Sequence, residues 1–465
     1  MTVDQGNNWT LKEKIGQMVV VRASGYLFDH QIRYPAWEAP NAKLQQWLET
    51  LNIGGIILLG GSAAEIYLRT QQLQSWANYP LLIAADIEEG VGQRFAGATW
   101  FPPPMALAAI AQKNLPLAQQ LARQMGAVTA QEALAIGINW ILAPVADVNN
   151  NQENPVINVR AFGDTPEIVS YLVTAFIEGA KDYPVLTTAK HFPGHGDTAS
   201  DSHMNLPAIF HPASRLAAVE LPPFQHAIAA GVDSTMTAHL LIPAWDGERP
   251  ATLSPPILTG QLRQNLGFGG LIVTDALIMG GVANFASPEA VAVMAVAAGA
   301  DILLMPPNPE TAIAAVCEAV KSGRIPEARI DQSVGRIWQA KQKLQQQPGQ
   351  FPPQFLSRLC QPVARETVNT ILQESLQVGG NLPLQPTSEG RNLIVVDDLL
   401  NCDFLERQSP AVSLPQQLGY NRQLVDSNTL NLVIDDKRLT LLQVFVRGNP
   451  FRGTAGLTQQ ARTVY

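Results

Sequence analysis

Two aspartates and a histidine stand out by type and spacing. In the stretch KHFPGHGDTASDSH (190–203), Asp201 lies two residues before His203, so its carboxylate can orient the imidazole and favour the protonated ring that a proton-transferring histidine needs. In GLIVTDALIMGGV (270–282), Asp275 directly follows an apolar run, where a lone carboxylate suits a nucleophile or a stabiliser of positive charge; capping the next helix is the plainer use of the same residue. His191 and His195 have the four-residue spacing of a metal pair on a helix, but Phe192, Pro193 and Gly194 between them rule out a regular helix. A barrel amidohydrolase would carry His-x-His on its first strand, and the corresponding run here reads VVVRAS (19–24). No metal and no cofactor is therefore expected.

These groups need a scaffold that brings them together. Eight short apolar runs recur along the chain: IGQMVVVRA (15–23), IGGIILLG (53–60), PLLIAAD (80–86), NWILAPVAD (139–147), PVLTTAKH (184–191), DSTMTAHL (233–240), GLIVTDA (270–276) and ADILLMP (300–306). Apolar runs without alternation are how strands buried on both faces read, as in parallel sheets. Between them, 62–77, 115–137 and 287–299 carry apolar residues three and four apart and read as helices. Strands and helices alternating in this way predict an α/β fold, a (β/α)8 TIM-type barrel, whose reacting groups come from the C-terminal strand ends and the loops that follow. Asp86, Asp147, Lys190, His191, His239 and Asp275 all fall at or just past the end of their run, hence on one rim. Charge at the end of an apolar strand is costly unless paired or used, so the repetition points to a site. Pro193, Gly194 and Gly196 let the chain leave that rim as a loop that can close over a substrate, carrying Asp201 and His203.

Composition bounds the rest. A chain of 465 residues is long for one core and fits a barrel with a smaller partner; at 46% hydrophobic and 15% charged residues, it can bury a large core. The net charge of −8 comes without a Lys/Arg cluster, which argues against a nucleic-acid partner. Cys317, Cys360 and Cys402 are few and far apart, so no disulfide framework is expected and a reducing compartment fits. The polar, acidic N-terminal residues do not read as a secretory signal, and no apolar run reaches the ~18 to 20 residues of a membrane span. A soluble, cytoplasmic protein without a membrane partner is expected. The segment QQQPGQFPPQ (345–354) reads as a linker, so the expected division is a barrel over 1–345, a linker over 346–355 and a small α/β domain over 356–465. That domain is expected to hold a helix near 364–376, strands at 391–398, 428–436 and 440–448, and a sheet cut short.

The stretches around Asp201–His203 and Asp275 closely resemble the two signature regions of glycoside hydrolase family 3, in its NagZ-type β-N-acetylglucosaminidase branch. TWFPPPMALAA (99–109), LAPVADVNNNQENPVINVRAFGDTP (142–166) and MTAHLLIPAWDGERPATLSPPIL (236–258) agree with it, so the resemblance covers roughly residues 10 to 345. It implies that Asp275 is the nucleophile of a covalent glycosyl-enzyme intermediate, that His203 is the acid/base with Asp201 as its partner, and that Asp86, Arg94, Arg160, Lys190 and His191 hold the hydroxyls of the terminal sugar. The implied activity is that of a retaining exo-β-N-acetylglucosaminidase, and the implied substrates are carbohydrates with terminal GlcNAc, such as muropeptides from wall recycling. In DIEEGVGQR (86–94) the chain departs from the family at Glu89, Val91 and Gly92, where Gly-Gly-Arg-Val is usual. Two alternatives stay open: a phosphorylase on the same scaffold, since an imidazole acid/base does not repel phosphate as a carboxylate would, and a non-catalytic sugar-binding protein. The oligomeric state is not legible.

Overall fold

The computed structural model describes residues 9–198, 206–345, 355–379, 384–387, 389–396, 408–426 and 438–445, with residues 402 and 405 singly. All eight apolar runs contain parallel strands: β1 (Val19–Ser24), β2 (Gly55–Leu59), β3 (Leu82–Ala85), β4 (Trp140–Ile141), β5 (Thr188–Phe192), β6 (Ser234–Thr237), β9 (Leu271–Val273) and β10 (Leu303–Leu304). A small antiparallel hairpin, β7 (Leu241–Ile242) with β8 (Asp246–Pro250), interrupts the series. Nearly every residue of the eight is buried, because helices such as Ala63–Trp76, Leu115–Ala135 and Pro288–Ala298 follow the strands and cover them.

The strands are organised in two parallel sheets, β10-β1-β2-β3-β4 and β5-β6-β9, with isolated parallel bridges Trp140↔Leu186, Val145↔Lys190 and Val273↔Ile302 at the two junctions. The expected closed barrel is thus represented by two regular ladders of five and three strands. Each interruption has a local cause. Beside β5, the fourth run continues through Pro144, which has no N–H to give; the Lys190 N–H donates to the Pro144 carbonyl at 3.2 Å, and the Ala146 N–H returns to the Lys190 carbonyl at 2.6 Å. Beside β10, the Leu304 N–H donates to the Thr274 hydroxyl at 3.0 Å, so a side chain takes a place the ladder would have used.

Helix starts follow their sequence signals. Ser62 precedes Ala63–Trp76 and forms a reciprocal cap with Glu65: the Glu65 N–H donates to the Ser62 hydroxyl and the Ser62 N–H to the Glu65 carboxylate. Under the strands' N-terminal ends, buried Asp301 accepts from Arg263 (2.6 Å), Arg336 (3.0 Å) and Ser333 (2.7 Å), with Arg329 at 3.3 Å; three of these four belong to the helix Glu327–Gln345, which is thereby fastened to the sheet.

The chain divides into two compact units, residues 1–151 with 159–375, and residues 152–158 with 376–465. The helix Pro362–Ser375, expected in the C-terminal part, falls in the larger unit. It buries Ala364, Thr367 and Ile371, and the Thr367 hydroxyl reaches Gln124 at 3.2 Å on the helix Leu115–Ala135. The expected linker lies almost wholly outside the described residues. The smaller unit contains a parallel sheet in the order β12 (Tyr420–Val425), β11 (Gly390–Val396), β13 (Thr440–Phe445). Central β11 puts Leu393 and Val395 into one apolar cluster and Ile394 and Val396 into another, as a strand covered on both faces must. The strand expected at 428–436 lies outside the described residues, and β12, with the polar sequence YNRQLV, was not anticipated.

Among the described residues, no helix is long and apolar enough to cross a membrane, and no cluster of three or more His, Cys, Asp or Glu could hold a metal ion.

Candidate active site

The site is built from the strand ends of the larger unit. Lys190 lies within β5, its side chain almost fully buried among apolar strands, and a buried ammonium must find carboxylates. It finds two: Nζ is 2.7 Å from Asp86 Oδ1 and 2.6 Å from Glu88 Oε1, both on the loop that follows β3. Glu88 is itself shared. Arg160 donates to it through Nε (2.8 Å) and Nη2 (2.7 Å), a bidentate pair that fixes both planes. Burial pushes the Glu88 carboxyl up, but Arg160 and Lys190 outweigh it and hold the group well below the usual carboxylate range. For Lys190, burial works to lower the pKa, and the two carboxylates override it and raise it. Two basic and two acidic side chains therefore form one continuous network at the strand ends.

A second group centres on Asp147, which follows β4 and is fully buried. It accepts from the His191 ring Nδ1 at 2.7 Å, from the His191 N–H at 3.2 Å and from the His195 N–H at 2.6 Å. Burial raises the Asp147 carboxyl, yet His191 and His195 bring it below its ordinary value. With Nδ1 donating to Asp147, the His191 ring has its orientation set and its Nε2 left for another partner. His195 is buried, its ring Nδ1 2.8 Å from the Thr198 hydroxyl, and burial lowers its pKa to about 4, against which the charges of Asp147 and Asp275 act. It is a neutral ring at neutral pH. The chain between the two histidines needs its glycines: Gly194 has φ +127°, and a Cβ on Gly196 would sit 1.7 Å from the Val148 carbonyl oxygen.

Asp275 follows β9 and is part-buried, its Oδ1 accepting from the Ala276 N–H at 2.8 Å. His239, after β6, braces this strand end: its Nε2 lies 3.1 Å from the Ala276 carbonyl and its Nδ1 2.8 Å from the Thr252 hydroxyl.

Of the residues singled out from the sequence, Asp86, Arg160, Lys190 and His191 fall into the two groups just described, and Asp275 ends a strand of the same rim. Arg94 is exposed and donates through Nε to the Asp86 backbone carbonyl at 2.9 Å, outside the charge network. Asp201 and His203 lie outside the described residues. Glu88 was missed, although it is the anion both cations share. Charge accounting would have found it, since burying Lys190 and Arg160 together calls for more than Asp86.

Residues 10–340 match the N-terminal domain of glycosyl hydrolase family 3, and residues 384–465 match the bacterial family 3 C-terminal domain. The chain is 36% identical over 335 residues to β-hexosaminidase A of Pseudoalteromonas piscicida, covering 65% of this chain and 56% of that one, so it spans little more than half of that relative's length. It resembles the structure of a family 3 β-N-acetylglucosaminidase from Paenibacillus sp. str. FPU-7 at 35% identity and a TM-score of 0.76, over 90% of this chain and 80% of the other. It also resembles a β-glucoside phosphorylase with 2FGlc bound, at 25% identity and a TM-score of 0.83, over 97% and 83% of the two chains. The match over residues 10–340, carried by the same strands whose ends assemble the two charge groups, places the chain in its family: it belongs to glycosyl hydrolase family 3.

Proposed function

We propose that the protein is a retaining exo-β-N-acetylglucosaminidase that removes terminal β-linked GlcNAc. The observation that carries this reading is the salt-bridged Asp86–Glu88–Arg160–Lys190 network on the strand ends, flanked by the oriented His191 ring and by Asp275. Such a network offers fixed donors and acceptors for sugar hydroxyls and places the anomeric carbon against a carboxylate. In the first step a carboxylate oxygen of Asp275 bonds to C1, the C1–O bond to the leaving group breaks, and its electron pair takes a proton from His203. In the second, water gives its proton to His203 as its oxygen bonds to C1 and the Asp275–C1 bond breaks. Asp201 keeps the His203 ring oriented and charged. Arg94 holds the end of the sugar nearest solvent. Muropeptides met in the cytoplasm are the substrate class this reading favours.

The same reading takes the five-stranded and three-stranded sheets as parts of one eight-stranded barrel, supported by the bridges at both junctions and the hydrogen bonds across them. It assigns catalysis to the barrel over 1–345 and none to the domain beyond the 346–355 linker.

Phosphorolysis is the second reading, favoured by the likeness to the β-glucoside phosphorylase. One experiment tests both: release of p-nitrophenol from the β-GlcNAc and β-glucose glycosides, with and without phosphate, following the sugar product. Free GlcNAc formed at a rate indifferent to phosphate is expected. A phosphate-dependent rate with GlcNAc 1-phosphate as product would replace hydrolysis by phosphorolysis, and no release from either glycoside would overturn both.

A further inference from the structure

Next to Asp275 the rim changes character. A cavity of about 120 Å³ opens where β1 and β10 end, and its lining includes Arg22, Trp37, Glu38, Met305 and Ile278, the last only three residues past Asp275. Its floor is continuous with the strand that carries Asp275: the Leu277 N–H donates to the Leu304 carbonyl at 2.9 Å, and the Met305 N–H to the Val20 carbonyl at 2.7 Å. Its outer wall is the loop after β1. Arg22 is nearly buried, and its Nε and Nη2 both donate to buried Glu38 Oε1, at 2.9 and 2.8 Å. The guanidinium carbon sits 4.6 Å from the centre of the Tyr34 ring and 5.4 Å from that of Trp37. The two rings stack on each other at 5.8 Å and 15°, yet stay 49% and 41% exposed.

The loop is built to hold this shape. The Trp37 and Glu38 N–H groups both donate to the Tyr34 carbonyl at 2.9 Å, and Asn41 ties the loop to Asp29 and Leu27. Aromatic faces left open to water at a cavity whose lining reaches to within three residues of Asp275 have a chemical use: the apolar C–H face of a pyranose ring stacks on them, and hydroxyls reach the charged pair behind. Among the described residues, the charged ones lining the cavity are Arg22 and Glu38, which neutralise each other.

We infer that this cavity is the subsite for the leaving group, and that it takes the pyranose ring of that group stacked on Trp37, with any charged substituent of a muropeptide lying outside it. The inference rests on the proposed glycosidase activity and adds to it where the second sugar sits and which residues select it. None of the residues earlier assigned to the terminal sugar lines the cavity.

The test compares kcat/KM for N,N′-diacetylchitobiose and methyl β-N-acetylglucosaminide on the wild type, Trp37→Ala and Tyr34→Ala. Both substrates expel an alkyl oxygen that must be protonated, so the difference between them isolates the second ring. The wild type should prefer the disaccharide, and Trp37→Ala should cut the disaccharide-to-methyl ratio by about ten-fold, the scale of one lost aromatic contact. Tyr34→Ala should cut it less, since it removes the ring that backs Trp37. Because both side chains are half exposed, their loss should leave the fold intact, which a melting curve checks. Equal losses on both substrates, or no wild-type preference for the disaccharide, would overturn the subsite while leaving the glycosidase reading in place. A wild type that cleaves neither would overturn the activity itself and the subsite with it.

Discussion

Two lysines of the larger unit, Lys190 and Lys341, are buried to the same degree, each 1% exposed, and titrate in opposite directions. At the C-terminal end of the strands, Lys190 meets Asp86 and Glu88, and its pKa is raised in spite of burial. At the N-terminal end, among the described residues, Lys341 meets the Gln17 amide oxygen at 2.7 Å and no carboxylate, and burial lowers its pKa to about 7. Burial alone is therefore not what marks the active end. The difference between the two lysines lies in partners: Lys190 is answered by two carboxylates and Lys341 by an uncharged amide, so burial leaves the first charged over a wide pH range and makes the second easy to discharge.

That contrast can be broken most sharply at Asp275. Asp275→Asn removes the group to which C1 is proposed to bond while keeping its shape, and kcat/KM on p-nitrophenyl β-GlcNAc should fall by at least about 10³-fold with the melting temperature unchanged. A loss under ten-fold would remove Asp275 from the mechanism. Next comes Lys190→Met, which strips the network of one cation and leaves Asp86 and Glu88 to share Arg160. The expected loss is roughly 10²- to 10³-fold in kcat/KM, with about 3 kcal/mol of stability lost in urea titration, because a buried charge loses its partner. A smaller effect is expected at Asp147. Asp147→Asn cannot hold the His191 ring by charge, so kcat/KM should fall by roughly ten-fold, mostly through KM if His191 binds a hydroxyl in both ground and transition states. Arg94→Ala, which touches only a backbone carbonyl in the structure, should cost less than Lys190→Met on the same substrate; a larger cost would put the exposed guanidinium, rather than the buried network, at the centre of sugar binding.

Much of the rim was legible because its residues combine unusual types with a regular frame. Lys190 and His191 end a run of β-branched and apolar residues, and a charge in that position has few structural uses. The same logic placed Asp86, Asp147, His239 and Asp275 at strand ends; Asp86, His239 and Asp275 follow theirs within two residues, while Asp147 lies six past β4 and two past the bridged Val145. What escaped notice lies where the frame gives no period. Glu88 sits in an irregular loop, and its importance comes from Arg160, 72 positions away, which no local pattern reveals. The loop holding Tyr34, Trp37 and Glu38 is a mix of aromatic, proline and charged residues whose meaning depends on Arg22 beneath it. In the smaller unit, β12 was hidden by its polar sequence, since only Tyr420 and Val425 of its six residues are buried. The interruption of the sheet beside β5 could have been read from Pro144, whose missing N–H forbids a continuous ladder.

The smallest expected effect tests the other end of the comparison. Lys341 has a pKa of about 7 in the folded protein and the ordinary 10.5 of a solvated lysine when the chain unfolds. Between these values the unfolded chain binds a proton that the folded one sheds, so stability rises with pH across that window; below about pH 7 both forms are protonated and the full cost of burying the charge remains. Lys341→Met keeps the unbranched stem and removes the titration. It leaves the Gln17 oxygen without its donor, a cost of about 1 to 3 kcal/mol that does not vary with pH. The variant's melting temperature relative to wild type should therefore be most favourable near and below neutrality and should decline steadily toward alkaline pH, while kcat/KM changes less than about two-fold because the residue lies at the opposite end of the strands from Asp275. The measurement is a pair of melting curves, one on the acid side of neutrality and one well above it, for each protein. A difference that is the same at both would mean that Lys341 keeps an ordinary pKa in the fold, and the two lysines would then differ in neighbours but not in charge.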